Sequence, residues 1–118
     1  MNHLSLLPLA GALIVTASVA WSANAPAAPV SVVMKSISYD PKSVEVPVGG
    51  SIVWTNKAFT NHTATSDDDG KTFDTGEIKP NESSSSVTFD KEGEFNYHCR
   101  IHGKTMSGTV VVKPAAAN

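Results

Sequence analysis

Near its C-terminal end the chain reads Tyr97-His98-Cys99-Arg100-Ile101-His102-Gly103-Lys104-Thr105-Met106. Cys99, His102 and Met106 put a thiol, an imidazole and a thioether within eight residues. Soft donors of this kind suit copper rather than magnesium or calcium. One further imidazole would give two nitrogens and a thiolate with a weak axial thioether, the donor set of a one-electron copper centre. The other histidines are His3, His62 and His98. His3 lies in an apolar leader. His98 neighbours Cys99 on a predicted strand, so the two side chains point to opposite faces. His62 remains, in Lys57-Ala58-Phe59-Thr60-Asn61-His62-Thr63.

Each donor also has a plainer reading. A lone cysteine such as Cys99 is often a small buried apolar residue. His62 alone would pass for a loop histidine, and Met106 for core filler. Cys-x₂-His by itself is a weak signal. Cys-x₂-His-x₃-Met after a strand, with an upstream histidine, is a strong one. His98 reads as a strand histidine. Asp67, Asp68 and Asp69 read as a solvated turn. Arg100 and Lys104 flank the ligand loop and either steer an acidic partner or simply face water.

These donors need elements to hold them. The chain has 118 residues, room for one domain. With 9 Lys+Arg against 11 Asp+Glu the net charge is -2, which argues against nucleic-acid binding. All twenty charges fall between Lys35 and Lys113. Leu4 to Val19 is mainly apolar: long enough for a secretory core, short for a spanning helix. Small residues follow, with Ala23-Asn24-Ala25 and Ala25-Pro26-Ala27 as alternative cleavage motifs. Residues 1–27 are therefore expected to be a signal peptide with a Pro/Ala lead-in, and 28–118 the domain. An uncleaved anchor is the alternative. Either way the domain is exported, to a periplasmic or other extracytoplasmic compartment. An exported domain with one cysteine has no internal disulfide, so Cys99 needs another role.

The domain reads as all-β. Strand patterns fall at Ser31–Ile37, Val44–Val46, Ser51–Asn56, Ser83–Phe89, Glu94–Cys99 and Gly108–Lys113. Asp40-Pro41, Pro47–Gly50, Asp67–Gly70 and Asp90–Gly93 punctuate them. Phe95, Tyr97 and Cys99 share one face. Trp54, Phe89, Phe95 and Tyr97 are expected in the core. No amphipathic helix is visible. About seven to eight short strands argue for a β-sandwich or closed barrel.

Taken with Gly50-Ser51-Ile52-Val53-Trp54-Thr55-Asn56 and the His62 loop, the segment from Tyr97 to Met106-Ser107-Gly108-Thr109-Val110-Val111-Val112 resembles the small bacterial cupredoxins of the plastocyanin, amicyanin and pseudoazurin group. Tyr-His-Cys before the loop and Met-x-Gly-x-Val-Val-Val after it are most similar to amicyanin. The resemblance covers the whole mature domain. It implies a Greek-key β-sandwich and one type 1 copper held by His62, Cys99, His102 and axial Met106. It also implies a monomeric electron shuttle rather than an enzyme, with transient redox protein partners and no stable membrane insertion after cleavage.

Three departures sharpen the expectations. Three residues separate His102 from Met106, against two in amicyanins and four in plastocyanins, so spacing does not fix the axial contact. Thr63 stands where the family commonly has an Asn that ties the ligand loops together; its hydroxyl is one candidate to take over, and Asn61, close in sequence, is another. Ile101 replaces a common Pro and carries an N–H, expected to donate to the Cys99 sulfur. Two other functions fit the same residues. A copper-trafficking protein would use the same ligands. A Cys99/His102 nucleophilic enzyme would need an orienting group and an oxyanion donor, and neither is evident.

Overall fold

In the computed structural model, the described residues are 11–12 and 27–115. The expected leader, residues 1–27, lies outside them apart from Gly11, Ala12 and Ala27. Among the described residues, no helix is long and apolar enough to cross a membrane.

Period-two alternation decides which residues turn inward. Ser43–Pro47 buries Val44 and Val46, and Ser51–Asn56 buries Ile52, Trp54 and Asn56. Gly103–Lys113 buries Met106, Gly108, Val110 and Val112. The strands in chain order are β1 (Val30–Met34), β2 (Tyr39–Asp40), β3 (Ser43–Pro47), β4 (Ser51–Asn56), β5 (Thr65–Ser66), β6 (Val87–Thr88), β7 (Gly93–Cys99) and β8 (Gly103–Lys113). They form two four-stranded sheets, ordered β2-β1-β4-β6 and β3-β8-β7-β5. The chain crosses repeatedly between the sheets, as in a Greek-key sandwich. β1 runs parallel to β4 and β3 parallel to β8; the remaining pairs are antiparallel.

The inner faces meet in an aromatic core. Tyr97 lies against Tyr39, Trp54 and Phe73, with ring centroids 4.6, 5.5 and 5.7 Å away. Phe73 stacks on Trp54 and meets Phe89 edge-on. Burying each such side chain is worth about 1.5–3 kcal/mol, which lets a small domain do without a disulfide. Phe95 is only partly buried, against the edge of this core.

The strand patterns hold with local corrections. β1 stops at Met34, and Ile37 is exposed in the bend before β2. Ser83–Phe89 is regular only at Val87–Thr88; Ser83 makes a single bridge to Thr55. β8 begins at Gly103, not Gly108. The end of β4 leads to the His62 loop, and the turn from β7 to β8 carries Cys99 and His102. Both ligand-bearing segments thus spring from rigid strands.

Candidate metal centre

Asn56 ends β4 fully buried, and its side chain builds the next loop. Its amide donates to the carbonyls of Thr60 and Ile78, each at 2.8 Å. Its oxygen accepts the Ala58 N–H, also at 2.8 Å. Two residues beyond Thr60, His62 forms a two-way backbone bridge with Ile78: N–H to O at 3.2 Å, and back at 2.7 Å. The His62 backbone is therefore held before any metal is considered.

Cys99 ends β7 on the inward row, below Tyr97. The next three residues turn, and Gly103 closes the hairpin in the left-handed region at φ 66°. A side chain in that conformation costs about 1–2 kcal/mol, so glycine suits the position. The turn brings His102 back over Cys99. His102 Nδ1 lies 3.6 Å from Cys99 Sγ, and His62 Nδ1 lies 3.7 Å from the same sulfur. All three donor atoms fall within 4.8 Å of one another.

These separations fit a bound metal. Metal–nitrogen and metal–sulfur bonds of about 2.0 and 2.3 Å at 120° in one plane need an N···S distance of about 3.7 Å. Thiolate plus two imidazoles is a copper set, and the site fits one copper. Burial first, and then the neighbouring His102, hold the His62 imidazole below its usual range, favouring the neutral form a metal needs. The Lys35 backbone pulls weakly the other way. His62 Nε2 is buried and has no hydrogen-bond partner among the described residues.

Met106 is fully buried, on the same inward row of β8 as Gly108 and Val110. β7 and β8 pair regularly as far as His98↔Ser107, then jump to Cys99↔Gly103. Lys104, Thr105 and Met106 thus form a bulge opposite no β7 residue. Bulges re-aim side chains beside functional sites. This one accommodates the three-residue interval and leaves the Met106 side chain inside.

The sulfur accepts one backbone N–H, and it is not the expected one. Thr63 N donates to Cys99 Sγ at 3.4 Å. Among the described residues, Ile101 N–H makes no such bond; Ile101 rides on the outside of the turn, half exposed. The Thr63 hydroxyl does join the ligand loops, accepting the Arg100 N–H at 3.0 Å. His98 faces outward and binds Asp67 through Nδ1 at 2.6 Å, apart from the donors. Arg100 reaches Asp74 at 3.1 Å rather than standing free, while Lys104 is exposed. The Asp67–Gly70 turn is as expected, and Asp68 is anchored by Ser66 and Thr72.

A nucleophilic role for Cys99 finds no support here, since the thiol is fully buried between two imidazoles. A groove of about 430 Å³, lined by Lys71, Phe89, Lys91 and Phe95 among others, includes none of the donors. Several contributors were not singled out from the sequence: Tyr39, whose hydroxyl donates to the Thr63 carbonyl, and Asn56, Thr65, Asp74 and Ile78. They act through contacts distant in sequence, and no local pattern marks them.

Comparison with known proteins agrees with this geometry. A family described as "Cupredoxin-like domain" matches residues 8–112. Chloroplastic plastocyanin of Tetradesmus obliquus is 31% identical over 114 residues, covering 88% of this chain and 78% of that one. Among solved structures, a purple cupredoxin from Nitrosopumilus maritimus is 23% identical with a TM-score of 0.64, covering 71% of this chain and 99% of the other. Amicyanin from Paracoccus versutus is 23% identical with a TM-score of 0.63, covering 77% and 87%. A copper-containing nitrite reductase from Thermus scotoductus is 30% identical with a TM-score of 0.66, over 75% of this chain but only 23% of that one.

Proposed function

The chain belongs to the cupredoxin-like domain family, and from that premise we propose that it is an exported one-electron carrier holding one copper. His62 Nδ1, Cys99 Sγ, His102 Nδ1 and the Met106 thioether would hold it, and copper bound there would supply a Cu(I)/Cu(II) couple. The observation that carries the reading is the donor triangle, with N···S separations of 3.6 and 3.7 Å, on segments tied to rigid strands. Such a frame holds its donors in place whichever charge it encloses.

The chain's own residues divide the work. Cys99 and His62 are sealed from water, which limits side reactions of the thiolate. His102 is only half-buried, and its imidazole edge gives a partner the shortest approach to the donors. Gly103 beside it adds no bulk. Phe59, on the His62 loop, is 99% exposed, and Ile101, on the Cys99 turn, is 47% exposed. These apolar side chains on the ligand-bearing loops suit brief docking to a redox protein, where small interfaces are the rule. A copper-trafficking protein would use the same donors, but it must release metal readily, and three buried donors, His62, Cys99 and Met106, oppose that.

The test is the visible spectrum of the protein titrated with Cu(II), repeated with Cys99→Ser. An intense thiolate-to-copper charge-transfer band, absent in the variant, is expected. A wild-type protein without the band would overturn the proposal.

A further inference from the structure

Thr63 touches both halves of the site. Its N–H meets the Cys99 sulfur, and its hydroxyl accepts the N–H of the peptide joining Cys99 to Arg100. That hydroxyl also lies 2.9 Å from the Thr65 hydroxyl, and Thr65 donates to Asp74 Oδ1 at 2.9 Å. A threonine hydroxyl has one proton to give. Thr65 gives its proton to the carboxylate, so Thr63 must donate to Thr65. The bonds therefore run one way: Arg100 N–H to Thr63, Thr63 to Thr65, Thr65 to Asp74.

The far end is itself fixed. Asp74 Oδ1 also accepts the Gly76 N–H at 3.0 Å, and Oδ2 takes the Arg100 guanidinium at 3.1 Å. Arg100 thus starts the chain with its backbone and closes it with its side chain. Ala64 and Thr75 add bonds in both directions: Ala64 N–H to the Thr75 hydroxyl, and Thr75 N–H to the Ala64 carbonyl, at 2.9 and 3.0 Å. Thr65 is fully buried. The two middle links, Thr63 and Thr65, are buried, while Arg100 and Asp74 at the ends are exposed; such a chain ending on a charge is stiffer than its separate links, because each bond polarises the next.

We propose that Thr65 and Asp74 are positioning residues that hold the Thr63 N–H against the Cys99 sulfur and so set the electron density of the thiolate. The inference rests on the copper reading above. A donor at the sulfur favours the state with more charge there, the reduced one. Slackening the chain weakens that bond and lowers the reduction potential. Neither residue contacts the donor atoms; they act through Thr63.

The experiment uses the full chain as wild type, Thr65→Val and Thr65→Ser. Valine keeps shape and charge but removes the hydroxyl; serine restores it. In the metal-free protein, amide hydrogen exchange at Thr63 and Arg100 is expected to quicken about tenfold in Thr65→Val and return to wild type in Thr65→Ser. Loaded with copper, Thr65→Val is expected to shift the charge-transfer band and lower the midpoint potential, with Thr65→Ser again restoring both. Unchanged exchange and potential in Thr65→Val, beside a wild-type protein that shows the band, would overturn the inference. So would a Thr65→Ser variant that behaves like valine. A wild type without the band sinks the copper reading instead, while exchange still tests the chain. Should Thr65→Val fail to fold, Asp74→Asn carries the exchange test, since a neutral amide oxygen is a weaker acceptor. Wild-type exchange in that variant would overturn the inference.

Discussion

Gly108→Ala tests whether the wall behind the metal site is as tightly packed as it looks. Gly108 sits opposite Tyr97 in the β7–β8 pair. An added Cβ would stand 2.5 Å from Tyr97 Cζ and 2.6 Å from its hydroxyl oxygen. Carbon contacts settle at about 3.5–4.0 Å, so the ring must retreat by about 1 Å. It has nowhere to go, because Tyr97 is fully buried and enclosed by Tyr39, Trp54 and Phe73. Overpacking of this kind costs about 1–3 kcal/mol. Moving the ring also strains the Trp54 Nε1–H bond to the Tyr97 hydroxyl, 3.3 Å long and worth about 1 kcal/mol. Alanine's stiffer unfolded chain returns about 0.4–1 kcal/mol. The net loss is about 1–3.5 kcal/mol, or a fall in melting temperature of about 4–28 °C for a domain of this size. The assay is thermal and urea unfolding of the metal-free protein, since bound metal would add stability of its own. Gly103→Ala is the control. Its Cβ meets nothing within 4 Å, so only the left-handed φ acts, at about 1–2 kcal/mol. A Gly108→Ala loss below about 0.5 kcal/mol would refute the packing argument, because it would mean that Tyr97 can step aside.

Two further outcomes follow from exposed groups. The Asp68 carboxyl, held by the Ser66 hydroxyl and then by Thr72, is expected to titrate at about 2, against an ordinary 3.8, in an NMR titration; Ser66→Ala should bring it back toward the ordinary value, and an unmoved midpoint would remove Ser66 as the cause. Phe59→Ser should leave stability within about 0.5 kcal/mol yet slow electron self-exchange of the copper-loaded protein about tenfold, because the ring buries apolar surface only on docking; an unchanged rate would take Phe59 out of the docking face.

Much of the frame can be read from the chain. Ser51–Asn56 is legible as a strand from its β-branched and aromatic residues, and its burial alternates, but half-buried Val53 lies on the outward row and polar Asn56 is fully buried on the inward one, so the inward row is only partly readable. Cys99 and His102 are legible, since one turn holds both. Phe73 is not: it enters the core from the segment between β5 and β6, where no period marks it. Tyr39 is hidden for the same reason, on a strand of two residues. Nothing in the sequence distinguishes Asp74 from other acids; the bridge between Thr65 and Asp74 turns it toward the site. The donor at the sulfur is the Thr63 N–H rather than the expected Ile101 N–H, because nearness in sequence is not nearness in space. The His62–Thr63 segment, pinned to Ile78, is nearer in space.

The interval between His102 and Met106 shows where spacing stops and register takes over. In a regular strand, changing an interval by one residue turns every later side chain to the other face. Three residues here instead of two would then send Met106 outward if all else were equal. The pairing of β7 and β8 does not count from His102, however. It counts back from Val112↔Gly93 through Gly108↔Tyr97 to Ser107↔His98. That register is set by the inward row of Val112, Val110 and Gly108, and it fixes Met106 inward whatever lies between it and the turn. The turn closes separately, through Gly103 at positive φ opposite Cys99. The mismatch between the two is confined to the bulge at Lys104–Met106. An added residue there changes the shape of the exposed loop, not which side of the sheet the thioether occupies.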